Sequence, residues 1–322
     1  MKRWLKVLIG AGLLAILVGI PVLLSQREEP QVQASLIALA NEPTDQGSAG
    51  YLRAEGPMPL DFPADHGPHP GYQTEWWYYT GNLVADGGER FGYQLTFFRR
   101  ALAPPAQRTE RESAWAADQV YMAHFALTDV AGRRYQAFER FARGAADLAG
   151  AQAVPYQVWL EGWRVEEVEP GVTRMRAAQE GLALDLVLVD RKGPILQGDR
   201  GFSPKGPQTG NASYYYSLTR LDTSGTVQVG EARYPVSGLS WMDHEWSTSG
   251  LASDQVGWDW FSIQLDDDSE LMVFQLRKED GSIDPFSSGA FIAPDGSTRH
   301  LDRGDFQILV EDTWRSPRTE AT

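Results

Sequence analysis

Beyond residue 56 the dominant signal in the chain is alternation of apolar and polar positions with period two. In FGYQLTFFRR, Phe91, Tyr93, Leu95 and Phe97 fall on one face of an extended chain. YMAHFALTDV repeats the pattern with Tyr121, Ala123, Phe125 and Leu127, and LALDLVLVDR with Leu182, Leu184, Leu186 and Leu188. Such runs place one side of a strand in a core and the other in a polar setting, so each predicts β-strand; SYYYSLTRLD and ELMVFQLRKE are further candidates. Turn-forming clusters separate them: ADGGER (85–90), DVAGRR (129–134), DTSGTV (222–227), DDDSE (266–270) and APDGST (293–298). Connections this short leave no room for crossover helices, so the body is all-β and antiparallel. Helical periodicity is scarce, RFARGAADLAGAQA (140–153) being its best example. Strands between residues 70 and 248 suit an eight-stranded barrel or a sandwich.

The N-terminus departs from this pattern. MKRWLK is followed by VLIGAGLLAILVGIPVLL (7–24), an uncharged apolar run. A helix of that length crosses a bilayer core of ~30 Å. Its flanking Lys2, Arg3 and Lys6 favour the cytoplasmic side, which places the remainder outside. Residues 1–25 are therefore expected to be an uncleaved anchor, with a signal peptide as the alternative, and the chain to be extracytoplasmic and periplasmic. Residues 26–55 mix charge, Pro and Gly and read as a linker. A length of 322 residues then leans toward two domains, 56–248 and 249–322.

A formal charge of −14 repels phosphate backbones, which argues against a nucleic-acid partner. The absence of cysteine removes disulfides, thiolate metal sites and a lipidation site.

Three blocks break the plain alternation. GYQTEWWYYTGNL (71–83) holds Glu75, Trp76, Trp77 and Tyr79. GLSWMDHEWSTSG (238–250) holds Trp241, Asp243, His244, Glu245 and Trp246. GWDWFSIQLDDD (257–268) holds Trp258, Asp259 and Trp260. Strand geometry puts Glu75, Trp77 and Tyr79 on one face, Trp241, Asp243 and Glu245 together, and His244 and Trp246 opposite them. Core filling, with acids bonded to indole N–H groups, explains such blocks as readily as a site does. Acids among rings lose hydration, however, so their pKa should rise. The expectation is that the three blocks gather around one apolar cavity. His66 and His69, three apart between prolines, make only a weak metal pair. With no HExxH, and with no P-loop or dinucleotide fingerprint, the chemistry is read without a metal or an organic cofactor.

Through YQTEWWYYTGNL, SWMDHEWSTS and GWDWFSIQLDD the chain resembles the AttH and carotenoid 1,2-hydratase family of lipocalin-like proteins, over about residues 57–322. The resemblance implies two successive lipocalin-like β-barrels. The TWRSPRTEAT segment stands where family chains continue, so the second barrel is expected to be cut short. Hydratase members add water across a terminal carbon–carbon double bond of a carotenoid; AttH members are exported, associated with a transporter system, and often labelled predicted secreted hydrolases. The family's His-x-Trp pair falls on His244 and Trp246, with Asp243 and Asp259 the nearest matches for its aspartates.

Two functions follow as expectations. The first is an anchored module that binds an apolar lipid or terpenoid for an ABC-type transport system, with Glu75, Trp76, Trp77, Tyr79, Trp241, Glu245, Trp258 and Trp260 as ligand contacts. The second is a cofactor-free hydro-lyase in which Asp243, His244 or Asp259 donates a proton and Trp241, Trp246 or Trp77 shields charge. A secreted hydrolase rests on the resemblance alone.

Overall fold

The alternating runs all form strands in a computed structural model that describes residues 49–108, 112–317 and 320. The expected anchor over 7–24 and most of the linker lie outside the described residues. In chain order the strands are β1 (Thr74–Ala85), β2 (Arg90–Ala101), β3 (Gln119–Asp129), β4 (Arg134–Arg143), β5 (Ala149–Gln152) and β6 (Gln157–Leu160). There follow β7 (Trp163–Glu169), β8 (Val172–Gln179), β9 (Leu182–Asp190), β10 (Ile195–Leu196), β11 (Phe202–Pro204) and β12 (Ala212–Val229). The last are β13 (Ala232–Ser247), β14 (Gln255–Gln264), β15 (Glu270–Lys278), β16 (Ser288–Ile292) and β17 (Thr298–Leu301). Among the described residues the helical content is two short 3-10 turns, Ala64–His66 and Pro105–Gln107.

The first thirteen strands form one antiparallel sheet in the order β4-β3-β2-β1-β13-β12-β9-β8-β7-β6-β5, with β10 and β11 beside β12. It curls into a nearly closed, lipocalin-like barrel, and its two ends approach where β3 and β4 meet β5 and β6. The remaining strands form a separate four-stranded sheet, β14-β15-β16-β17.

The barrel is filled. Trp77, Tyr79, Phe97, Phe125, Trp163 and Trp246 are all fully buried in a single inner cluster. A ring buried this way removes ~150–250 Å² from water, on the order of 4 kcal/mol at ~25 cal/mol per Å². Period two ends where a second layer covers the sheet: residues 240–247 of β13 and 212–217 of β12 are buried at every position. There the outward-facing Tyr215 and Trp241 pack with Met272, Phe274 and Leu276 of β15. At the other end of this contact the buried Glu270 of β15 accepts from Arg220 Nε at 2.6 Å and Lys192 Nζ at 2.8 Å, tying the small sheet to the barrel.

Two local expectations are corrected. Residues 140–153 form the end of β4, a turn and β5 rather than a helix. Gly144 and the positive φ of Ala146 (52°) and Asp147 (59°) reverse the chain there. DTSGTV does not turn either: β12 runs straight through it. Gly225, at φ 150°, lets β9 approach so closely that a Cβ would meet Asp185 O at 2.2 Å. The reversal comes later, at Gly230–Glu231, between the paired Val229 and Ala232.

Candidate functional site

Antiparallel pairing of β1 with β13 sets Trp77 opposite His244 and Glu75 opposite Trp246. Both pairs lie on the inner face, although 169 residues separate Glu75 from His244. β2 adds Arg99 opposite Glu75, and β12 adds Tyr216 opposite His244. The segment before β1, with its 3-10 turn, brings Asp65, His66 and His69 onto the same group.

Glu75 is the hub and has no exposed side-chain surface. Its Oε1 accepts from His69 Nδ1 at 2.7 Å and His244 Nε2 at 2.9 Å, and its Oε2 accepts from Arg99 Nε at 2.7 Å and the His69 amide at 2.9 Å. Burial by itself would raise its pKa, but the Arg99 guanidinium and the two imidazoles outweigh burial and hold the carboxyl well below its usual range. Glu75 is therefore an ionised acceptor. The expectation that acids among rings are raised fails here because a cation shares their burial.

Ionised Glu75 fixes the protons of its neighbours. Burial takes His244 down to about 4, against the pull of Glu75, so its ring is neutral at pH 7. Its Nε2 faces the carboxylate and must carry the proton, which leaves Nδ1 as an acceptor. Tyr216 O–H, 3.2 Å away, donates to that Nδ1. The Tyr216 oxygen then accepts from His66 Nδ1 at 2.8 Å. Burial raises the Tyr216 pKa and lowers that of His66, so both are neutral. The result is a one-directional chain from His66 through Tyr216 and His244 to Glu75. His66 Nε2 is its outer end, and no described residue bonds to it.

His69 behaves differently. Carboxylates lie at both of its nitrogens, Glu75 at Nδ1 and Asp65 at Nε2 (3.1 Å), so both nitrogens donate. Burial opposes the charge, but bonds to Asp65 and Glu75 raise the His69 pKa. Two anions and two cations thus balance. The rings enclose the network: His69 stacks on Trp246 at 3.6 Å and Trp77 on His244 at 4.8 Å. Two fully buried donors in this group, Trp246 Nε1 and Arg99 Nη1, have no acceptor among the described residues.

His69 Nδ1, Glu75 Oε1 and His244 Nε2 lie within 4.8 Å of one another, as metal ligands would. A metal needs lone pairs on both nitrogens. Arg99 already neutralises the Glu75 carboxylate, and with both imidazoles donating to it the set is satisfied as a proton network.

The expected single cavity is corrected: the sheet divides the three blocks between its faces. Glu75, Trp77, Tyr79, His244 and Trp246 are inside. Trp241, Asp243 and Glu245 face outward under the small sheet. There Trp241 Nε1 and Ser217 Oγ donate to Asp243 Oδ1 at 2.8 and 2.5 Å, and Trp260 Nε1 donates to Tyr215 Oη at 3.2 Å. Glu245 bonds Ser213 and pairs with Lys205 at 3.2 Å. Trp76 lies half-buried on the outer side, Trp258 is 46% exposed, and Asp259 pairs with Arg277 at 3.5 Å, apart from His244. Three members of the inner network, Asp65, Arg99 and Tyr216, were not among the candidates, and His66 and His69 were read only as a weak metal pair. Arg99 had a signal, because the alternation Phe91, Tyr93, Leu95, Phe97 continues onto it and puts a charge at a core position.

The AttH-like family model matches residues 53–322. The chain belongs to the AttH-like family. A crystal structure of a Nitrosomonas europaea protein assigned as AttH is 37% identical to this AttH-like chain, with TM-score 0.75 over 84% of this chain and 81% of that one. Kievitone hydratase from Nectria haematococca superposes with TM-score 0.59 at 10% identity, over 84% of this chain and 78% of that one, a likeness of fold alone. No curated protein matches the chain.

Proposed function

We propose that this AttH-like chain is a cofactor-free hydro-lyase that adds water to a polarised carbon–carbon double bond in an apolar substrate. The observation that carries the reading is the directed chain His66–Tyr216–His244 ending on ionised Glu75. Buried ionisable groups held in fixed protonation states cost stability and cluster where proton transfer is performed.

Water gives its proton to His66 Nε2, His66 passes its Nδ1 proton to Tyr216, and Tyr216 passes its own to His244 Nδ1. The His244 imidazolium that forms beside the Glu75 carboxylate is transient, because burial opposes its charge. The hydroxide bonds to one alkene carbon, and the proton returns along the chain to the other. No strong acid stands on this face: His244 is neutral, Glu75 is ionised, and Asp243 lies beyond the sheet. Base-first addition therefore fits better than the proton-first route expected from the resemblance, and it calls for a double bond conjugated to a carbonyl.

The test is incubation with 4-phenyl-3-buten-2-one in ¹⁸O-water and mass spectrometry of the β-hydroxyketone. Labelled product is expected, and Tyr216→Phe, which breaks the chain without removing a ring, should slow it roughly hundredfold. No product from the wild type, or equal rates for both proteins, would overturn the reading.

A second reading, holding of an apolar small molecule for a transport system, draws support from an open cleft of about 260 Å³ at the barrel seam. Native mass spectrometry of protein purified from membranes should then show a bound lipid or terpenoid. Repeated recovery of bare protein counts against it.

A further inference from the structure

The stretch that delivers His69 to Glu75 is GPHPG (67–71), a histidine between two prolines between two glycines. Each proline fixes its own φ and has no N–H to give, so Pro68-His69-Pro70 is stiff and the His69 amide is its one main-chain donor. The glycines on either side are the residues that take up backbone rotation most readily. The first lies directly against the β5–β6 turn, where a Cβ on Gly67 would meet Ala153 at 2.4 Å.

This stiff piece is held to the barrel chiefly through His69. Its amide and its Nδ1 donate to Glu75 at 2.9 and 2.7 Å, its carbonyl accepts from Arg99 Nη2 at 2.9 Å, and its ring stacks on Trp246. Arg108 Nη2 adds a bond to the Pro70 carbonyl at 2.7 Å. Asp65 ties the piece to the turn before it, with Oδ1 on His69 Nε2 at 3.1 Å and Oδ2 on the Asp61 amide at 2.5 Å. Beneath His69 lie Glu75, His244 and Trp246, which have no exposed surface. His66 precedes the first glycine and has its own anchors, Tyr216 on its ring and Trp77 Nε1 on its carbonyl at 3.0 Å.

We propose that residues 67–71 are a lid over the inner network, hinged at the two glycines and latched by the His69 cation between Asp65 and Glu75. An imidazolium donates to both carboxylates. A neutral ring must turn a lone pair on one of them, which replaces a charge-assisted bond with a repulsion and releases the latch. An open lid uncovers Glu75, His244 and Trp246 while the His66–Tyr216–His244 chain keeps its bonds. The titratable groups around His69 are Asp65 and His66 of its own segment, Glu75 of β1, Arg99 of β2, Tyr216 of β12 and His244 of β13. The two carboxylates hold the His69 proton; His66, Tyr216 and His244 are neutral at pH 7, and Arg99 stays a guanidinium. Burial opposes the His69 charge, but the bonds to Asp65 and Glu75 raise its pKa above the ordinary 6.5. The latch is therefore fully present at pH 6.5 and is lost as pH rises through the higher folded value. The inference concerns access to the network and not the reaction performed there.

Hydrogen exchange of the full chain, read by mass spectrometry from pH 6 to pH 10, tests the lid without any assay of turnover. Peptides over residues 64–73 report the lid, because the His69 and Tyr72 amides are bonded to Glu75 and to the His69 carbonyl, and peptides of β2 report the barrel. After correction for the intrinsic rate, lid protection should fall roughly tenfold across this range while β2 stays constant. Asp65→Asn keeps an acceptor without the charge and should move the fall to lower pH by about one unit. His69→Gln keeps a donor for Glu75 with no proton to lose and should remove the pH dependence. Constant protection in the wild type overturns the latch, and a fall that β2 shares overturns a lid that moves by itself. A fall that survives in His69→Gln overturns His69 as the titrating group, and an unchanged midpoint in Asp65→Asn overturns the part given to Asp65.

Discussion

Arg99→Ala is expected to destabilise the fold by about 3–5 kcal/mol, because it strands the Glu75 carboxylate in the barrel without its cation. Both side chains have no exposed surface, so water cannot replace the 2.7 Å contact between them. Arg99 also serves the carbonyls of His69 and Tyr72, which hold the segment before β1 against the barrel. Against a total stability of about 5–15 kcal/mol the loss is large. Urea unfolding should show a lower midpoint with little change in slope. Glu75→Gln added to Arg99→Ala should recover a substantial part of the loss, since most of the cost is the uncompensated charge and not a missing attraction. If the double variant is no more stable than Arg99→Ala, the penalty lies in lost packing and the electrostatic account of the network fails. The wild type itself should lose this contribution in acid. The folded pKa of Glu75 is depressed, so its stabilisation is present above its ordinary pKa and disappears as pH falls through the lower folded value.

Much of this architecture was legible because a barrel strand has one physical requirement, an apolar inner face, and period two records it directly. The same periodicity separated Glu75, Trp77 and Tyr79 from Trp76, and His244 and Trp246 from Asp243 and Glu245. What periodicity does not carry is pairing between distant strands. Nothing local says that β1 lies beside β13, and only that pairing brings Glu75 to His244 and Tyr216. His66 and His69 were visible as a histidine pair between prolines, but the carboxylates that set their protonation arrive from elsewhere in the chain. Asp259 was matched by its position in a motif. Its strand, β14, belongs to the other sheet, where Arg277 and not His244 is its neighbour. DTSGTV failed for a related reason: glycine serves close approach of strands as well as turns, and composition does not separate the two uses.

Asp243→Asn is expected to make the protein more stable than wild type above pH 7, by on the order of 4 kcal/mol, while leaving it nearly unchanged at pH 4. Burial raises Asp243 to about 7, against hydrogen bonds from Ser217, Trp241 and Tyr215, and the nearby Glu245 carboxylate adds to the rise. The sign follows from proton uptake. Between its unfolded value of 3.8 and about 7 the folded state holds a proton that the unfolded chain has lost. The contribution of Asp243 is then fully present below pH 4, declines as pH rises toward 7, and is flat above. Asparagine keeps an oxygen for the Ser217 and Trp241 donors and never has to ionise. The other groups around this position are Lys205, paired with Glu245, the Tyr215 phenol, and Tyr78 of β1, whose phenol is pushed up by burial first and by Asp243 in addition. All are present in both proteins, so the difference between the two stability profiles isolates Asp243. Asp243 bonds Trp241, whose ring meets Trp260 of the small sheet edge-on at 6.4 Å. The same titration should therefore appear in tryptophan fluorescence of the wild type with a midpoint near pH 7, and vanish in Asp243→Asn. A stability difference that stays constant from pH 4 to pH 9 would mean that Asp243 is ionised throughout, and that its three donors outweigh the burial.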